Sequence, residues 1–485
     1  MTITKFYDVA IIGAGITGSA LFRELSRFKL KVALLEKEND VSLGASRANS
    51  AIVHAGYDPP SGSLMAKLNV AGNAMYPKLC AELSVAFKNN GSLICALSAE
   101  ETKKLTELFE NGRKNGVPRL ELLDHAAVHA LEPNLAERVC GALYAKTGGI
   151  VGAYELTTAL AENGVVNGGD LSLNFAVEKI KRVETPNGAI FEIHSETGDT
   201  VRARFVVNAA GLYADVVNNL VAKPSFEIKP RRGEYYVLDK SQGTLAVRTL
   251  FVCPGKLGKG VLVSPTVHGN LIVGPDAQDH VARSDTATTA QGLDFVRTNA
   301  LLLTEKINFR DSIRNFAGLR AVSTKKDFII EQAPNVARFF NLAGIKSPGL
   351  TSAPAIAEYA RDLLANAGLT LVEKTDFNPN RHETRFLSLS ADEKAELIRS
   401  NPAFGRVICR CETITEGEIV EAIHRPVGAT TLDGVKRRVR PGCGRCQGGF
   451  CAPRVLEILA RELGENRREI LQDRTGSYIL TDRTK

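Results

Sequence analysis

The sequence predicts an α/β fold: a Rossmann-like dinucleotide-binding domain, an interleaved and mainly antiparallel β domain, and a small helical module at the C-terminus. Three observations predict it. A strand-like run from Asp8 to Ile12 leads straight into Gly13-Ala-Gly-Ile-Thr-Gly18 and then into a helical pattern that lasts to about Phe28. Further strand-then-turn segments return far along the chain, near 205–211 and 339–349. Five of the nine cysteines, Cys409, Cys411, Cys443, Cys446 and Cys451, crowd into the end of the chain.

The opening reads as one βαβ unit, with Lys31 to Glu36 as its second strand. A lone G-x-G-x-x-G is weak evidence, but strand, helix and terminal acid together give it context. Gly13 permits the tight turn, Gly15 lets a pyrophosphate approach the backbone, and Gly18 lets helix and strand pack closely. The N–H groups at the helix start then face phosphate oxygens. Glu36 is placed to accept hydrogen bonds from the adenosine ribose. The N-terminal position of the motif and the returning segments favour FAD over NAD, because such a chain threads out to a second domain and comes back to complete a flavin site. Ala343 to Leu350 opens a helix whose N-terminus can face the flavin pyrimidine, where backbone donors stabilise the anionic reduced ring.

Composition narrows the rest. The 485 residues suffice for two or three domains, and 44% hydrophobic with 24% charged residues is ordinary for a globular protein. Trp is absent and the net charge of +7 is spread widely, so no nucleic-acid partner is expected. The densest basic run, Lys436-Arg437-Arg438 with Arg440, reads as a solvated helix face. No run of 18 apolar residues is present, and the N-terminus passes straight into a strand without room for a signal peptide. A cytoplasmic protein is expected, with at most peripheral membrane association through a partner. Cys80, Cys95, Cys140 and Cys253 are scattered and read as small core residues.

Helical periodicity resumes near Leu64 and from Glu100 to Asn115, short strands alternate from about 170 to 210, and 225–335 reads as mainly β. Residues 370–400 are polar with no strong period and are taken to hold the linker. In the C-terminal module Thr415 and Glu418 form a capping box, Thr431 begins another helix, and Pro453 suits the first turn of the last one.

Residues 1–365 resemble the glycine oxidase and D-amino-acid oxidase superfamily of flavoproteins, in the branch that holds glycerol-3-phosphate dehydrogenases and L-2-hydroxyglutarate oxidases. The segments that carry the resemblance are Gly44–Gly56, Val207–Tyr213, Arg232–Tyr236 and Gly318–Arg320. It implies an FAD-dependent oxidoreductase domain over 1–380, with FAD-binding parts at about 1–80, 150–215 and 336–370. The substrate-domain parts fall at about 81–149 and 216–335. The linker is 381–404, the cysteine module 405–465, and 466–485 a tail. The family's flavin contacts carry over to Ser46, Asn49 and Ser50 near the isoalloxazine, to Val177 at the adenine, to Gly211 in the returning turn, and to Gly344, Gly349, Leu350 and Thr351 at the other flavin edge.

Hydride transfer from a carbinol needs a base for the hydroxyl proton and a cation for the acid group of the substrate. His54 lies in the loop that the resemblance brings beside the flavin, Tyr235 in the strand that faces it, and Arg320 at a strand end suited to a bidentate grip on phosphate or carboxylate. Lys346 offers a second cation. Each has a duller alternative: a structural hydrogen-bonder, a pocket wall, an inter-strand salt bridge and a solvated loop lysine. The aerobic, membrane-bound glycerol-3-phosphate enzymes carry an Arg shortly after their Ile-His-Gly-Gly segment, whereas this chain has His54-Ala-Gly-Tyr57, so one phosphate-gripping residue is missing.

Residues 405–465 resemble a bacterioferritin-associated-ferredoxin-type [2Fe-2S] domain, which needs four thiolates. The resemblance favours Cys409, Cys411, Cys446 and Cys451, with Cys443 as the alternative ligand; a zinc site with four cysteines stays open. The expected function is oxidation of sn-glycerol 3-phosphate with electrons passed through the cluster to an acceptor protein. The alternatives are a 2-hydroxy-acid dehydrogenase, L-2-hydroxyglutarate included, and an electron-transfer subunit without turnover of its own.

Overall fold

Lys5–Ile12 is an inner strand, parallel to Val32–Leu35 on one side and to Thr200–Asn208 on the other, in a computed structural model that describes residues 5–186, 188–255, 260–279 and 281–482. Val9 and Ile11 face one core while Ala10 and Ile12 face another. Burial on both faces explains why the run reads as continuously apolar rather than alternating. Besides Lys5–Ile12, Thr200–Asn208 serves two further partners. Its first half pairs antiparallel with Ile190–Ser195, and Val206, Val207 and Asn208 pair parallel with Phe339–Ala343. Helices Ile16–Leu25, Leu64–Glu82, Ala153–Val166 and Gly349–Asn366 cover one face through Phe22, Tyr76, Leu156 and Ile356.

A second sheet runs, in spatial order, through Ser312–Ser323, Ile228–Leu238, Leu271–Gly274, Leu262–Pro265, Thr249–Val252, Ser92–Ala96, Gly141–Ala145 and Leu120–Asp124. Every pairing is antiparallel except Thr249–Val252 with Ser92–Ala96, the seam between two separate excursions of the chain. The fold class is the expected one: a mainly parallel sheet with helices, an interleaved antiparallel sheet, and a small helical module. In that module Glu416–His424, Leu432–Val439 and Ala452–Leu463 pack around Ile419, Val435 and Leu459. The capping box of Thr415 and Glu418 is formed, Thr431 caps the second helix, and Pro453 sits in the first turn of the third.

Several expectations need revision. Ile329–Gln332 pairs with Phe339–Ala343, so the return to the nucleotide sheet begins before 336. The 381–404 stretch is not featureless. It contains the helix Ala391–Ser400, capped by Ser390 and Glu393, with no buried residue in it; a short helix wholly outside the core leaves no apolar period to read. The expected tail of 466–485 is anchored over its described residues: Asp473 pairs with Arg47 and Arg437, Arg474 donates to the Leu43 carbonyl, and Ile470 is buried. Cys140 is exposed, unlike buried Cys80, Cys95 and Cys253. Arg320 lies within the long strand opposite Arg231, not at its end.

The basic run is the largest correction. Arg437 and Arg438 are buried, and both reach Asp40 on the loop after Glu36, at 3.0 and 2.8 Å. Burial alone would raise the Asp40 carboxyl, but the Arg438 and Arg437 guanidiniums outweigh it and hold it at about 2. A second junction lies at the start of Ala153–Val166. Tyr154 Oη meets Arg440 at 3.0 Å, and Glu155 takes His268 of the second sheet at 2.6 Å and Arg385 at 3.5 Å. Lys240 and Arg440 also pair with Glu412. The C-terminal module therefore touches both larger units.

Replacing Asp40 by Asn leaves the buried Arg438 guanidinium without a carboxylate and Arg437 with Asp473 alone, and should cost about 3–5 kcal/mol. A lower melting temperature and faster tryptic cleavage in 381–404 are the expected readouts. Because folding depresses the Asp40 pKa, the wild-type contribution is present above the unfolded carboxylate range near ~4 and fades as pH falls towards 2. The Asn variant should lack that component of acid sensitivity in a pH-melting series.

Candidate active site

The glycine motif makes a turn that is closed to a side chain at Gly13 and Gly18, while a Cβ on Gly15 would meet only the Ser46 hydroxyl at 3.3 Å. Gly13 has φ +105°, and a Cβ on Gly18 would stand 2.0 Å from the Gly13 carbonyl oxygen. The helix that follows begins at Gly15 without a side-chain cap of its own. Ser46 Oγ accepts from the Ile16 N–H at 2.8 Å, so the predicted flavin loop closes over the same helix end. Glu36 accepts from the Ala14 N–H at 2.7 Å and the Glu38 N–H at 3.1 Å. Burial raises its pKa while these two bonds oppose the shift. Val177 begins the strand Val177–Val183, and just before it Phe175 N–H bonds the Glu36 carbonyl. Gly211, at φ +56°, opens the turn that follows Thr200–Asn208, and Ala209 N–H bonds the Ile12 carbonyl. A helix start without a cap from its own N-cap residue, a turn closed at Gly13 and Gly18 and a carboxylate at the strand end fit a dinucleotide pyrophosphate and ribose.

At the other end of the cradle, Asn49 turns its amide into its own loop, donating to the Ala45 and Ser46 carbonyls and accepting from the Ala51 N–H. Ala51 at φ +58° bends that loop back on itself. Ser50 beside it is half-buried. His54 is held by its main chain: its N–H donates to Thr351 Oγ1 at 2.8 Å, and its carbonyl takes Asn69 at 2.7 Å and Asn73 at 3.2 Å. The ring places Nε2 3.2 Å from Ser347 Oγ. Asn69 and Asn73 were not foreseen. Their signal was two amides one helical turn apart on the buried face of Leu64–Glu82.

Tyr76 Oη donates to the Leu350 carbonyl. Gly344 lies at φ +65°, Lys346 is half-buried with its carbonyl accepting from Gly349 N–H at 2.6 Å, and Gly349–Asn366 starts with no side-chain cap. That open helix end offers donors towards the same side as Thr351 and His54.

The second sheet closes the site. A Cβ on Gly318 would stand 1.9 Å from the Ala48 carbonyl oxygen, so this strand lies directly against the loop of Ser46 to Ala51. Arg320, two residues on, shares that face of the strand. Among the described residues its guanidinium reaches the Asp276 carbonyl at 3.4 to 3.5 Å and no carboxylate. Its neighbours differ: Arg231 pairs with Asp279, and buried Arg232 with Asp285 and Glu234. Tyr235 is buried and its ring stacks on Phe316 at 4.7 Å.

The cysteines fall into two pairs and one outsider. Cys411 and Cys446 sulfurs are 3.7 Å apart. Cys409 hydrogen-bonds Cys451, which holds the Cys409 thiol down at about 6 and pushes that of Cys451 up. Backbone N–H groups of Gly442 and Glu412 point at Cys409, and those of Gly448 and Phe450 at Cys446. Burial pushes the Cys443 thiol up, and its charged neighbours are Arg440, Lys436, Glu412 and Glu155 rather than another thiol. Among the described residues no three His, Cys, Asp or Glu side chains close on one point. Paired thiols with N–H donors aimed at sulfur fit two irons bridged by sulfide.

Residues 8–363 match the family model for FAD dependent oxidoreductases. The chain belongs to that family. Residues 407–461 match the BFD-like [2Fe-2S] binding domain, so this FAD dependent oxidoreductase binds FAD in its larger part and a [2Fe-2S] cluster in its smaller one. A glycerol 3-phosphate dehydrogenase of Caloramator mitchellensis is 53% identical over 480 residues, 99% of both chains. The mitochondrial L-2-hydroxyglutarate dehydrogenase of Homo sapiens is 32% identical over 56% of this chain and 61% of its own. Among solved structures, dithionite-reduced L-α-glycerophosphate oxidase from Mycoplasma pneumoniae with FAD bound superposes with a TM-score of 0.73 at 30% identity, covering 79% of this chain and 100% of that one. No helix among the described residues is long and apolar enough to cross a membrane.

Gly18→Ala should yield protein without retained FAD, because its Cβ collides with backbone that cannot move. Gly44→Ala, which meets nothing within 4 Å, should keep it. Flavin absorbance after acid release distinguishes the two.

Proposed function

We propose that the chain oxidises sn-glycerol 3-phosphate to dihydroxyacetone phosphate and passes the electrons from FAD through its [2Fe-2S] cluster to a separate acceptor protein. The observation that carries this reading is the 53% identity to a glycerol 3-phosphate dehydrogenase along 99% of both chains, cluster module included. Bound FAD supplies the hydride acceptor and the cluster a one-electron exit.

The residues support a division of roles. Arg320, without a carboxylate partner among the described residues, holds the phosphate through its forked donors. His54, pivoted on a main chain fixed by Thr351, Asn69 and Asn73, takes the hydroxyl proton at Nε2. Tyr235 forms a wall, Lys346 adds a cation, and the Gly349 helix end donates to the flavin ring. Cys409, Cys411, Cys446 and Cys451 hold the cluster, and Cys443 does not. The catalytic part is assigned to 1–380 and the relay to 405–465, in a cytoplasmic setting.

A 2-hydroxy-acid substrate is the second reading, favoured by the 32% identity to L-2-hydroxyglutarate dehydrogenase; Arg320 then grips a carboxylate. With dichlorophenolindophenol as acceptor, glycerol 3-phosphate should be turned over and L-2-hydroxyglutarate should not. Turnover of neither would favour an electron-transfer subunit. Arg320→Lys keeps the charge but loses the fork, and kcat/KM should fall by the equivalent of about 2 kcal/mol or more.

Cys411→Ser should remove iron and labile sulfide while FAD stays and substrate still bleaches it. Cys443→Ser should keep the full cluster. Iron and sulfide analysis checks both, and stoichiometric zinc without sulfide would overturn the relay.

A further inference from the structure

Phe450, in the turn between Cys446 and Cys451, is 85% exposed, more than any other large apolar side chain among the described residues. Single exposed apolar residues are ordinary, so the exposure alone decides nothing. Its surroundings do. Arg410 stands between Cys409 and Cys411, and Arg454 four residues beyond Phe450; both are exposed, and neither forms an ion pair among the described residues. Arg445, next to Cys446, is 69% exposed and meets Asp311 at 3.4 Å.

Elsewhere on the module the exposed arginines are neutralised: Arg406 and Arg461 by Glu416, and Arg467 by Glu457. The unpaired cations therefore flank the ligand segments, Arg410 between Cys409 and Cys411 and Arg454 in the helix turn after Cys451, while the Phe450 N–H points at the Cys446 sulfur. Cys411 and Cys446 are the less buried thiols, and Cys409 and Cys451 are buried. An aromatic anchor among cations has the anatomy of a small docking patch, and its field attracts a negative partner.

We propose that Phe450, Arg410 and Arg454 dock a small acidic one-electron carrier protein, which draws electrons from the cluster on the side of Cys411 and Cys446. This rests on the relay reading above. Oxidising the carbinol to a carbonyl releases two electrons and two protons. Two carriers are each reduced by one electron in turn, and both protons pass to solvent. An anionic membrane is the weaker fit: the apolar face of Ala452–Leu463 is already spent in the module core, leaving one ring to insert.

The test uses full-length holoprotein. Flavin bleaching by glycerol 3-phosphate is followed separately from reoxidation of enzyme stoichiometrically reduced with dithionite, so failure of the substrate reading does not touch the docking result. Oxidised plastocyanin is the acidic carrier and cytochrome c the basic one. Reoxidation by plastocyanin should saturate with carrier and slow several-fold as salt is raised. Arg410→Glu with Arg454→Glu should slow it about tenfold or more at low salt, and Phe450→Ala several-fold, while bleaching and iron content stay unchanged. The rate with cytochrome c should not fall in the Glu variant. Unchanged plastocyanin rates in all variants would overturn the proposal. So would charge-dependent binding to phosphatidylglycerol vesicles, lost in the variants while plastocyanin rates hold. Undiminished plastocyanin reduction by cluster-free Cys411→Ser protein would instead bring down the relay reading.

Discussion

Asp40 follows the strand that ends beside Glu36, yet its bonds go to another part of the molecule. Its carboxylate is buried against two guanidiniums of the cluster module, and Asp473 of the C-terminal segment and Arg47 of the flavin loop extend the same network. Such a set of charges tolerates burial only when every partner is in place, since each ion left behind pays its full desolvation penalty. The module therefore docks as a unit. With Glu155 joining His268 and Arg385 at the second junction, the cluster is held in one position against both larger units instead of sampling space on a tether. Electron transfer between fixed centres needs no encounter step.

The same economy of charge marks the substrate side. Arg231 and Arg232 are bound to carboxylates, and Arg320, on the strand beside them, is left to a distant carbonyl. The two helices that point their ends at the cradle, at Ile16 and Gly349, lack side-chain caps of their own. Donors without a carboxylate partner converge where a charged cofactor and an acid-bearing substrate are expected, while the arginines on the neighbouring strand are neutralised. Pre-organised donors of this kind are what electrostatic catalysis needs.

The nucleotide cradle was legible because its features are local: a strand, three glycines and an acid at fixed offsets. The capping box at Thr415 and the cysteine cluster were legible for the same reason. What stayed hidden depends on distant partners. Arg437 and Arg438 look like a solvated run until Asp40, nearly four hundred residues away, is seen to bury them. Asn49 was expected at the flavin ring, but its amide is occupied in its own loop. Which thiols face each other likewise depends on how three short helices pack, and spacing could not choose between Cys443 and Cys446.

The strand Thr200–Asn208 has a consequence for how the protein is made. The nucleotide sheet joins residues 5–12 to 200–208 and then to 339–343, so its contacts are of high sequence separation and must form against large loop-closure entropy. On the ribosome the first strand emerges long before its neighbour exists, and the strand that finishes the sheet comes later still. Through most of synthesis the nascent chain carries Val9 to Ile12 without the cores that will cover them. The interleaved antiparallel sheet cannot assemble early either, because its seam waits for Thr249–Val252 to meet Ser92–Ala96. Each half of the flavoprotein is thus completed only when segments far apart in the chain have met.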